Sequence, residues 1–383
     1  ITLTQTFFER FKNRFGFAPL LWNSASSDKN KRQIWHQVTK QQPLVVVGAR
    51  SSLFLPFANL KLIVVDEEHD GSYKQEEGVI YNARDMAIMR AHIEQINIIL
   101  ASATPSLESL INAESGKYNY LKLDSRYGEA SLPQIKLIDM RQVNLPKQKF
   151  ISPELRQALQ VNLQRGEQSL LFLNRRGYAP VTLCSKCGQK LACPNCSTWL
   201  IYHQNNNKLH CHHCDHVVNV PKTCSHCNAE NSFIGCGPGI ERITEELKEL
   251  FPSEEIITLS GDSGDDELTN STKRIQNNEV KLIVGTQVLA KGHHFPNLTL
   301  IGIIDADLGL QGADLRGAER SFQLLNQVSG RAGRAEKSGL VLLQTYSPEN
   351  AVISSLGRGN FAEFLQLEQA SRKLADMPPY SRL

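Results

Sequence analysis

The chain has 383 residues, of which 41% are hydrophobic and 21% are charged, and its formal net charge at pH 7 is +3. This composition is typical of a globular protein and excludes a disordered tail, a collagen-like chain and a coiled-coil rod. The longest apolar runs, such as residues 62–65, are far shorter than the roughly 20 residues of a membrane-spanning helix. Charged residues begin at Glu9 with no apolar signal segment before them, so we expect a cytoplasmic protein. The small positive charge permits nucleic-acid binding without indicating it.

Both ends of the chain are unusual. It begins with Ile1 instead of Met, directly inside an amphipathic pattern, and it stops at Leu383, soon after Pro378-Pro379. We therefore expect a fragment of a longer protein, or the product of a gene that has lost its ends.

Short, nearly continuous apolar runs recur along the chain, as expected for parallel strands that are covered on both faces. In chain order these predicted strands are residues 44–47, 60–65, 96–100, 170–173, 256–259, 281–284, 300–304 and 340–343. Helical spacing of apolar residues covers residues 1–15, 82–95, 153–164, 241–250 and 316–328. The alternation of the two patterns predicts an α/β fold built on parallel sheets.

Most of the predicted strands end in a polar or glycine-rich cluster. These clusters are residues 48–51, 66–69, 101–104, 174–177, 285–287 and 305–307. Ligands of open parallel sheets bind at the carboxyl ends of the strands. We therefore expect the six clusters to line one long active cleft.

Cysteine usage indicates a metal module within residues 181–232. Eight of the nine cysteines form four C-x-x-C pairs: Cys184/Cys187, Cys193/Cys196, Cys211/Cys214 and Cys224/Cys227. A tetrahedral zinc ion takes two such pairs, so we expect two zinc sites. A disulfide cluster suits a secreted chain better, and a redox pair does not explain four pairs in a row.

The pairing of the four knuckles can be sequential, crosswise or nested. The spacing between Cys196 and Cys211 is close to that of a zinc ribbon, which favours joining the two inner knuckles and leaving the outer two for the second ion. With eight thiols available, we interpret the four nearby histidines as non-ligands and Cys236 as a small buried residue.

Two further clusters suit nucleotide hydrolysis. In the run Asp66-Glu67-Glu68-His69 the first carboxylate can hold Mg²⁺ and the second can orient and deprotonate water, although a solvated acidic turn explains this short run equally well. Near the other end of the chain, the run 327–334 ends in Arg331 and Arg334, which can reach phosphates across a cleft. The order of these elements, with Ser102-Ala103-Thr104 between them, favours the catalytic interpretation.

At these residues the sequence resembles the superfamily 2 helicases and, within them, the PriA family of primosomal replication-restart helicases. The resemblance runs over essentially the whole chain. It rests on residues 66–75 (DEEHDGSYKQ), 172–177 (FLNRRG) and 285–295 (GTQVLAKGHHF), and above all on the eight-cysteine module.

The resemblance implies two RecA-like parallel-sheet motor lobes that close on ATP and move 3′ to 5′ along single-stranded DNA, with a small two-zinc module inserted in the second lobe. Residues 126–150 break the sheet pattern and carry Pro133 and Pro146, which predicts a linker. Around it we expect a first lobe at 1–125, the second lobe at 151–180 and 233–350 with the zinc insert at 181–232 between its halves, and the start of a C-terminal domain at 351–383.

The resemblance also implies a role for each matching residue. The implied catalytic residues are Asp66, Glu67, Gln327, Arg331 and Arg334. The implied coupling residues are Ser102, Thr104, Tyr73, Lys74, Gln75, Tyr81 and Arg84, of which the last five match an aromatic-rich loop. The implied contacts to the DNA backbone are Arg50, Arg175, Arg176, Thr286 and Lys291. The implied zinc ligands are Cys184, Cys187, Cys224 and Cys227 for one ion and Cys193, Cys196, Cys211 and Cys214 for the other.

The implied cofactors are two Zn²⁺ per chain and Mg²⁺ with ATP, and the implied partners are forked and single-stranded DNA and proteins of the replication primosome, without a membrane. A departure from the family is that the phosphate-binding motif G-x-x-x-x-G-K-[ST] does not occur in these 383 residues. A degenerate helicase that binds DNA and partners through its zinc module is therefore an alternative. Another zinc-bearing translocase is a third, against which the position of the cysteines argues.

Overall fold

The computed structural model divides the chain into two compact units, Ile1–Leu121 and Lys122–Leu383. The structure describes residues 5–23, 26–75, 77–123, 132–146, 148–174, 181–196, 200–203, 208–211, 214, 216–236, 239–259, 265–286, 295–310, 314–333 and 337–381. No helix in these ranges combines the length and the apolar character that crossing a membrane needs.

The first unit alternates short strands and helices. Its elements are α1 (Gln5–Phe15), β1 (Leu20–Trp22), α2 (Asp28–Val38), β2 (Val46–Gly48), β3 (Leu62–Asp66), β4 (Lys74–Gln75), β5 (Tyr81–Asn82), α3 (Ala83–Ile93), β6 (Asn97–Ala101) and α4 (Leu107–Glu114). β1 pairs with β2 and β3 pairs with β6, both in parallel, whereas β4 and β5 form an antiparallel hairpin. The predicted strands are therefore present.

α3 and α4 of this unit begin at polar caps. The side chain of Asn82 accepts a hydrogen bond from the backbone N–H of Arg84 at the start of α3, and Ser106 caps α4 in the same way through Ser109. Such caps satisfy N–H groups that have no partner inside the helix. They fix where α3 and α4 begin relative to the strands that precede them.

The β3–β6 sheet differs from the prediction that both of its faces are covered. α3 packs against one face, and its Ala87 and Ala91 are buried there. On these strands Val64 is 58% exposed and Ile99 is 50% exposed. An apolar run in a sequence predicts a strand, but the helices that cover it decide whether both faces are buried.

The second unit is larger. Its elements are β7 (Gln134–Asp139), α5 (Pro153–Gln164), β8 (Gln168–Phe172), β9 (Val181–Cys184), β10 (Ile201–His203), β11 (Lys208–His210), β12 (Val217–Asn219), β13 (Phe233–Cys236), α6 (Ile240–Leu250), β14 (Ile256–Leu259), α7 (Asp265–Gln276), β15 (Leu282–Gly285), β16 (Leu298–Ile303), α8 (Gly317–Ser329), β17 (Leu340–Thr345), α9 (Ala351–Arg358) and α10 (Phe361–Leu374).

Six of these strands form a parallel sheet in the order β14-β15-β8-β16-β17-β7. Alternate residues of β8 pack into two different hydrophobic clusters, one on each face of the sheet. Leu170 and Phe172 pack in the cluster that contains Phe322 of α8, whereas Leu171 packs with Leu155 of α5. Here both faces are buried, as predicted for a parallel sheet.

The zinc module is a separate antiparallel sheet between β8 and α6. Five strands of the described chain form it, in the order β12-β11-β10-β9-β13. β13 pairs along β9, with Phe233 opposite Cys184. The module therefore extends to Cys236, four residues beyond the boundary predicted at 232, because its last strand closes back on its first.

The structure differs from two of the predicted boundaries. The predicted linker 126–150 contains β7, which pairs with β17 and ends the sheet, because Ile135, Leu137 and Ile138 supply apolar side chains to its two faces. The predicted C-terminal domain at 351–383 begins with α9 and α10, which pack on the same sheet. Ile353 and Phe364 are buried in the core of the second unit, so these helices belong to it.

Candidate functional site

Two of the predicted clusters meet in the first unit, at the ends of adjacent strands. β3 and β6 run in parallel with Asp66 opposite Ala101, so the residues that follow them lie at one edge of the sheet. The pairing continues past the strand end, since the backbone N–H of Glu68 donates to the carbonyl oxygen of Ala101 over 3.1 Å. Asp66, Glu67, Ser102 and Thr104 are thereby brought together.

The carboxylate pair sits on a strained turn. Glu67 adopts a left-handed backbone conformation with φ of 49°, which is uncommon for a residue with a side chain. Its backbone N–H donates to Oδ1 of Asp66 over 3.1 Å. Asp66 is exposed and Glu67 half-buried, so both can reach a cation or a water molecule outside the sheet.

His69 is a site residue that the sequence analysis did not single out. Its Nδ1 lies 2.7 Å from Oγ of Ser102 and 3.6 Å from Oε2 of Glu67. Oγ of Ser102 also accepts the backbone N–H of Thr104 over 2.9 Å. The imidazole thus connects the catalytic candidate Glu67 with both coupling candidates on the neighbouring strand end. The available signal was its place as the fourth residue of the run Asp66-Glu67-Glu68-His69.

Glu68 was also missed, and it is the centre of a buried hydrogen-bonded group in the first unit. Its carboxylate is 2% exposed and accepts hydrogen bonds from the backbone N–H of Ser106 at 2.6 Å and from Oγ of Ser109 at 2.9 Å. Nη1 of Arg84 lies 3.1 Å from Oε2 of Glu68. A buried carboxylate needs such partners, because desolvation of an isolated charge is costly. The contacts fasten β3 to the starts of α3 and α4.

Arg84 therefore differs from its predicted place in an aromatic-rich loop. It lies in the first turn of α3, is 8% exposed, and its Nε donates to Asp85 over 2.9 Å. Arg50, predicted at the DNA backbone, donates from Nη1 to the carbonyl oxygen of Lys74 over 2.7 Å. Both arginines hold other parts of the unit, although Arg50 remains partly accessible.

The remaining residues of the predicted loop form the β4–β5 hairpin and the turn before it. Oη of Tyr73 donates to the carbonyl oxygen of Asp66 over 2.6 Å. Burial and the carboxylates of Asp66 and Asp70 raise the pKa of Tyr73 well above its ordinary value, so the phenol stays protonated and remains a donor. Lys74 and Gln75 pair with Asn82 and Tyr81, and the Tyr81 ring meets Phe54 edge-on at 5.4 Å. This hairpin is attached directly to the carboxylate turn.

In the second unit, strand ends again align. Phe172 lies opposite both Gly285 and Ile303, so the clusters that follow these strands lie at one edge. Nδ2 of Asn174 donates to the carbonyl oxygen of Leu308 over 3.0 Å. Thr286 is 1% exposed, and its hydroxyl has no hydrogen-bond partner within the described part of the chain.

α8 carries the other catalytic candidates. Gln327 lies in its last turn and is partly buried, and Arg331 follows the helix and is 7% exposed. Four predicted site residues lie outside the described residues: Arg175, Arg176, Lys291 and Arg334. Their roles stay predictions.

The eight cysteines gather into two groups of four. One contains Cys184, Cys187, Cys224 and Cys227, the other Cys193, Cys196, Cys211 and Cys214, which is the nested pairing. Sulfur atoms across the knuckles lie 3.4–3.7 Å apart, measured for Cys184–Cys227, Cys187–Cys224, Cys193–Cys214 and Cys196–Cys211. A disulfide requires about 2.05 Å. Tetrahedral zinc with bonds of about 2.3 Å spaces its sulfur ligands about 3.8 Å apart. The residues therefore fit two zinc ions.

The two outer knuckles share one backbone design. In each, the residue after the second cysteine has a positive φ, 75° at Gly188 and 57° at Asn228. Its backbone N–H donates to the carbonyl oxygen of the first cysteine, Cys184 or Cys224. This turn points both thiols of a C-x-x-C pair the same way. Among the described residues, neither metal group includes a histidine.

Family models match most of the chain. The DEAD/DEAH box helicase model matches residues 1–113, the helicase conserved C-terminal domain matches 214–336, and the PriA DNA helicase Cys-rich region matches 193–218. The first two correspond to the units that carry the carboxylate turn and α8. The third falls on the inner zinc group.

Curated relatives align over the whole chain. The chain is 47% identical to a replication restart protein PriA of Rickettsia conorii, covering 100% of this chain and 59% of the relative. It is 40% identical to that of Bacillus subtilis, covering 99% and 48%, and 39% identical to that of Haemophilus influenzae, covering 100% and 52%. The chain thus spans about half to three fifths of the length of these relatives.

Solved structures agree on the fold. RecG bound to a three-way DNA junction matches with a TM-score of 0.50 and 15% identity, covering 96% of this chain and 38% of RecG. The DNA-bound helicase MrfA matches with a TM-score of 0.51 and 12% identity, covering 95% and 44%. Each lobe is therefore RecA-like, as predicted.

The buried Glu68–Arg84 pair predicts a strong coupling between its members. Arg84→Met should lower the free energy of unfolding of the first unit by about 3–5 kcal/mol, because it leaves a buried carboxylate without its cation. Adding Glu68→Gln should restore at least half of that loss. Urea unfolding followed by tryptophan fluorescence measures both, since Trp22 and Trp35 lie in this unit.

The exposed Arg32 of α2 provides the matched control. Arg32→Met should change the free energy of unfolding by less than about 0.5 kcal/mol. Additive effects of Arg84→Met and Glu68→Gln would contradict the assignment of one coupled network.

The cysteine geometry predicts two zinc ions per chain in the nested pairing. Elemental analysis of protein purified without chelator should give two. Cys184→Ser, Cys227→Ser and their double variant should each lose the same ion, whereas Cys184→Ser combined with Cys211→Ser should lose both. If Cys184→Ser and Cys211→Ser together cost one ion, a different pairing holds.

Proposed function

Because this chain belongs to the PriA family of replication restart proteins, we propose that it is the motor of an ATP-dependent DNA helicase that moves 3′ to 5′. Forked and single-stranded DNA would be its substrates, and primosome proteins would be recruited by the whole protein. The direction, the substrates and the partners follow from the family resemblance. That the curated relatives are replication restart proteins supports a role in DNA replication restart.

The observation that carries the proposal is the junction of Asp66 and Glu67 with Ser102 through His69. In the proposed mechanism Asp66 holds Mg²⁺ and Glu67 orients and deprotonates the attacking water. A shift of the Glu67 side chain would move His69, which contacts Oγ of Ser102. Ser102 would then shift the backbone of Thr104, whose N–H it accepts. Hydrolysis would thus displace the turn at residues 102–104.

The second unit would supply the charge that ATP hydrolysis needs. Gln327, Arg331 and Arg334 are proposed to sense or stabilise the γ-phosphate. Arg331 is positioned at the end of α8, a helix whose other face is buried in the core, which supports a fixed location for the guanidinium. Mg²⁺, when bound with ATP, would neutralise the developing charge on the phosphates.

The hairpin is the proposed connection between DNA and the carboxylate turn. Tyr73 contacts the carbonyl oxygen of Asp66, and Lys74 and Gln75 follow it immediately. A base stacked on Tyr81, or a phosphate on Lys74, would therefore move the backbone that carries Asp66. Arg50, Arg175, Arg176, Thr286 and Lys291 remain the proposed contacts to the DNA backbone.

A second candidate function applies if the whole protein, like these 383 residues, does not contain the phosphate-binding motif. Without it the chain would bind DNA and partners through its zinc module and not hydrolyse ATP. The two candidates predict different ATP turnover when this chain is joined to the remaining parts of a relative. We therefore expect slow or undetectable ATP turnover by the isolated chain under either.

A chimera separates the candidates. The 383 residues replace the matching part of the Rickettsia conorii relative, with which they align over 100% of this chain. The chimera should hydrolyse ATP in response to single-stranded DNA, and Glu67→Gln should lower that turnover at least ~100-fold, because it removes the proposed general base.

The control is Glu154→Gln, at an exposed position in the first turn of α5. It should leave ATP turnover within about twofold. A chimera that is folded and holds zinc but shows no DNA-dependent turnover would favour the non-hydrolysing candidate. Clear turnover by the isolated 383 residues, abolished by Glu67→Gln, would overturn the expectation for the chain alone.

A further inference from the structure

A buried lysine joins the zinc module to the second motor lobe. Lys190 lies between the knuckles of Cys187 and Cys193 and is only 6% exposed. Its Nζ donates to the carbonyl oxygen of Asp307 over 2.9 Å. Lysine is almost never fully buried unless it is paired, because desolvation of its ammonium is costly. The contact therefore marks a specific attachment.

The acceptor is itself held in place. Asp307 is 1% exposed, and its carboxylate accepts hydrogen bonds from Oγ1 of Thr345 at 2.7 Å and from the backbone N–H of Tyr346 at 2.6 Å. The zinc module touches the same place a second time. A Cβ on Gly188 would lie 2.7 Å from the carbonyl oxygen of Tyr346, so the first knuckle sits directly against this backbone.

The loop that contains Asp307, residues 305–310, is here named the junction loop. On its other side Nδ2 of Asn174 donates to the carbonyl oxygen of Leu308. A Cβ on Gly317, the first residue of α8, would lie 2.7 Å from the carbonyl oxygen of Gly309. The junction loop thus contacts the zinc module, the cluster after β8, and the helix that carries Gln327.

We propose that Lys190 and Asp307 form a joint through which the zinc module and the motor lobe move as one body, with Lys190 as a positioning residue. A displacement of α8 or of Asn174 shifts the position of the junction loop. The hydrogen bond from Lys190 to Asp307 transmits that shift to the first zinc knuckle. The use of the joint in strand separation rests on the proposed function. The existence of the joint does not.

Hydrogen exchange tests the joint in the 383-residue chain. The reporters are the amides of Leu310 and Tyr346, which bond to the carbonyl oxygen and the carboxylate of Asp307. Removing zinc with a chelator should accelerate their exchange about tenfold in the unchanged chain, because the loosened module releases the junction loop. In Lys190→Met the chelator should change the exchange of these amides less than about twofold.

Lys186→Met is the matched control, since Lys186 lies in the same knuckle but is exposed. It should respond to the chelator like the unchanged chain. If Lys190→Met does not fold, Thr345→Val weakens the joint from the motor side and should reduce the response of Leu310. An equal response in Lys190→Met, or in Thr345→Val, and the unchanged chain would overturn the joint.

The role of the joint in strand separation is tested in the chimera. Lys190→Met should keep DNA-dependent ATP turnover within about twofold while the strands separated per ATP hydrolysed fall about tenfold. An unchanged ratio would overturn the proposed transmission. Absence of turnover in the unsubstituted chimera would count against the proposed function, and the exchange experiment would still decide whether the joint exists.

Discussion

The arrangement depends on one geometric constraint: parallel strands all end at the same edge of their sheet. In the second unit the paired residues Leu259, Gly285, Phe172, Ile303 and Leu343 form a row, and the polar clusters follow immediately. In the first unit the same rule places Asp66 beside Ala101. The central strands of the second unit are buried, so the segments beyond their ends are where polar and charged side chains can gather.

Buried charges fix these segments in position. Glu68 with Arg84 connects the carboxylate turn to two helices, and Lys190 with Asp307 connects the zinc module to the edge of the second sheet. The Glu68–Arg84 ion pair and the Lys190 ammonium, which bonds to a backbone carbonyl oxygen, each carry a desolvation cost that an apolar contact would avoid. What each provides is a directional contact that holds one geometry. A turn with a strained residue such as Glu67 requires this support.

Sequence reasoning succeeded where chemistry leaves a fixed spacing. C-x-x-C pairs are determined by the geometry of a metal knuckle, and apolar runs by burial in a sheet, so the zinc module and the parallel-sheet fold could be predicted. The two RecA-like lobes followed from the family resemblance. Sequence reasoning failed where contacts are long-range. The partners of Glu68, Ser106 and Ser109, are 38 and 41 positions away, and those of Lys190 are 117 away. No local sequence pattern predicts contacts between residues so far apart along the chain.

The missed strand β7 has a related cause. Its residues were interpreted as part of a linker because Pro133 and Pro146 flank them, yet β17 supplies a neighbour from the far end of the chain. Edge strands depend on such a partner more than on their own pattern. The same dependence explains why α9 and α10 belong to the second unit, since their apolar faces complete a core formed by distant strands.

The central claim is that the turn at Asp66 and Glu67 holds the metal of a nucleotide site. Iron-directed cleavage tests it most directly, with Fe²⁺ in place of Mg²⁺, ATP bound to the chimera, and hydrogen peroxide and ascorbate added, since the bound Fe²⁺ reduces peroxide to hydroxyl radicals that cut the nearby backbone. The account predicts ATP-dependent cuts at residues 66–68 that disappear in Asp66→Asn. Cleavage that is ATP-dependent but absent from this turn, or unchanged by Asp66→Asn, would contradict the account.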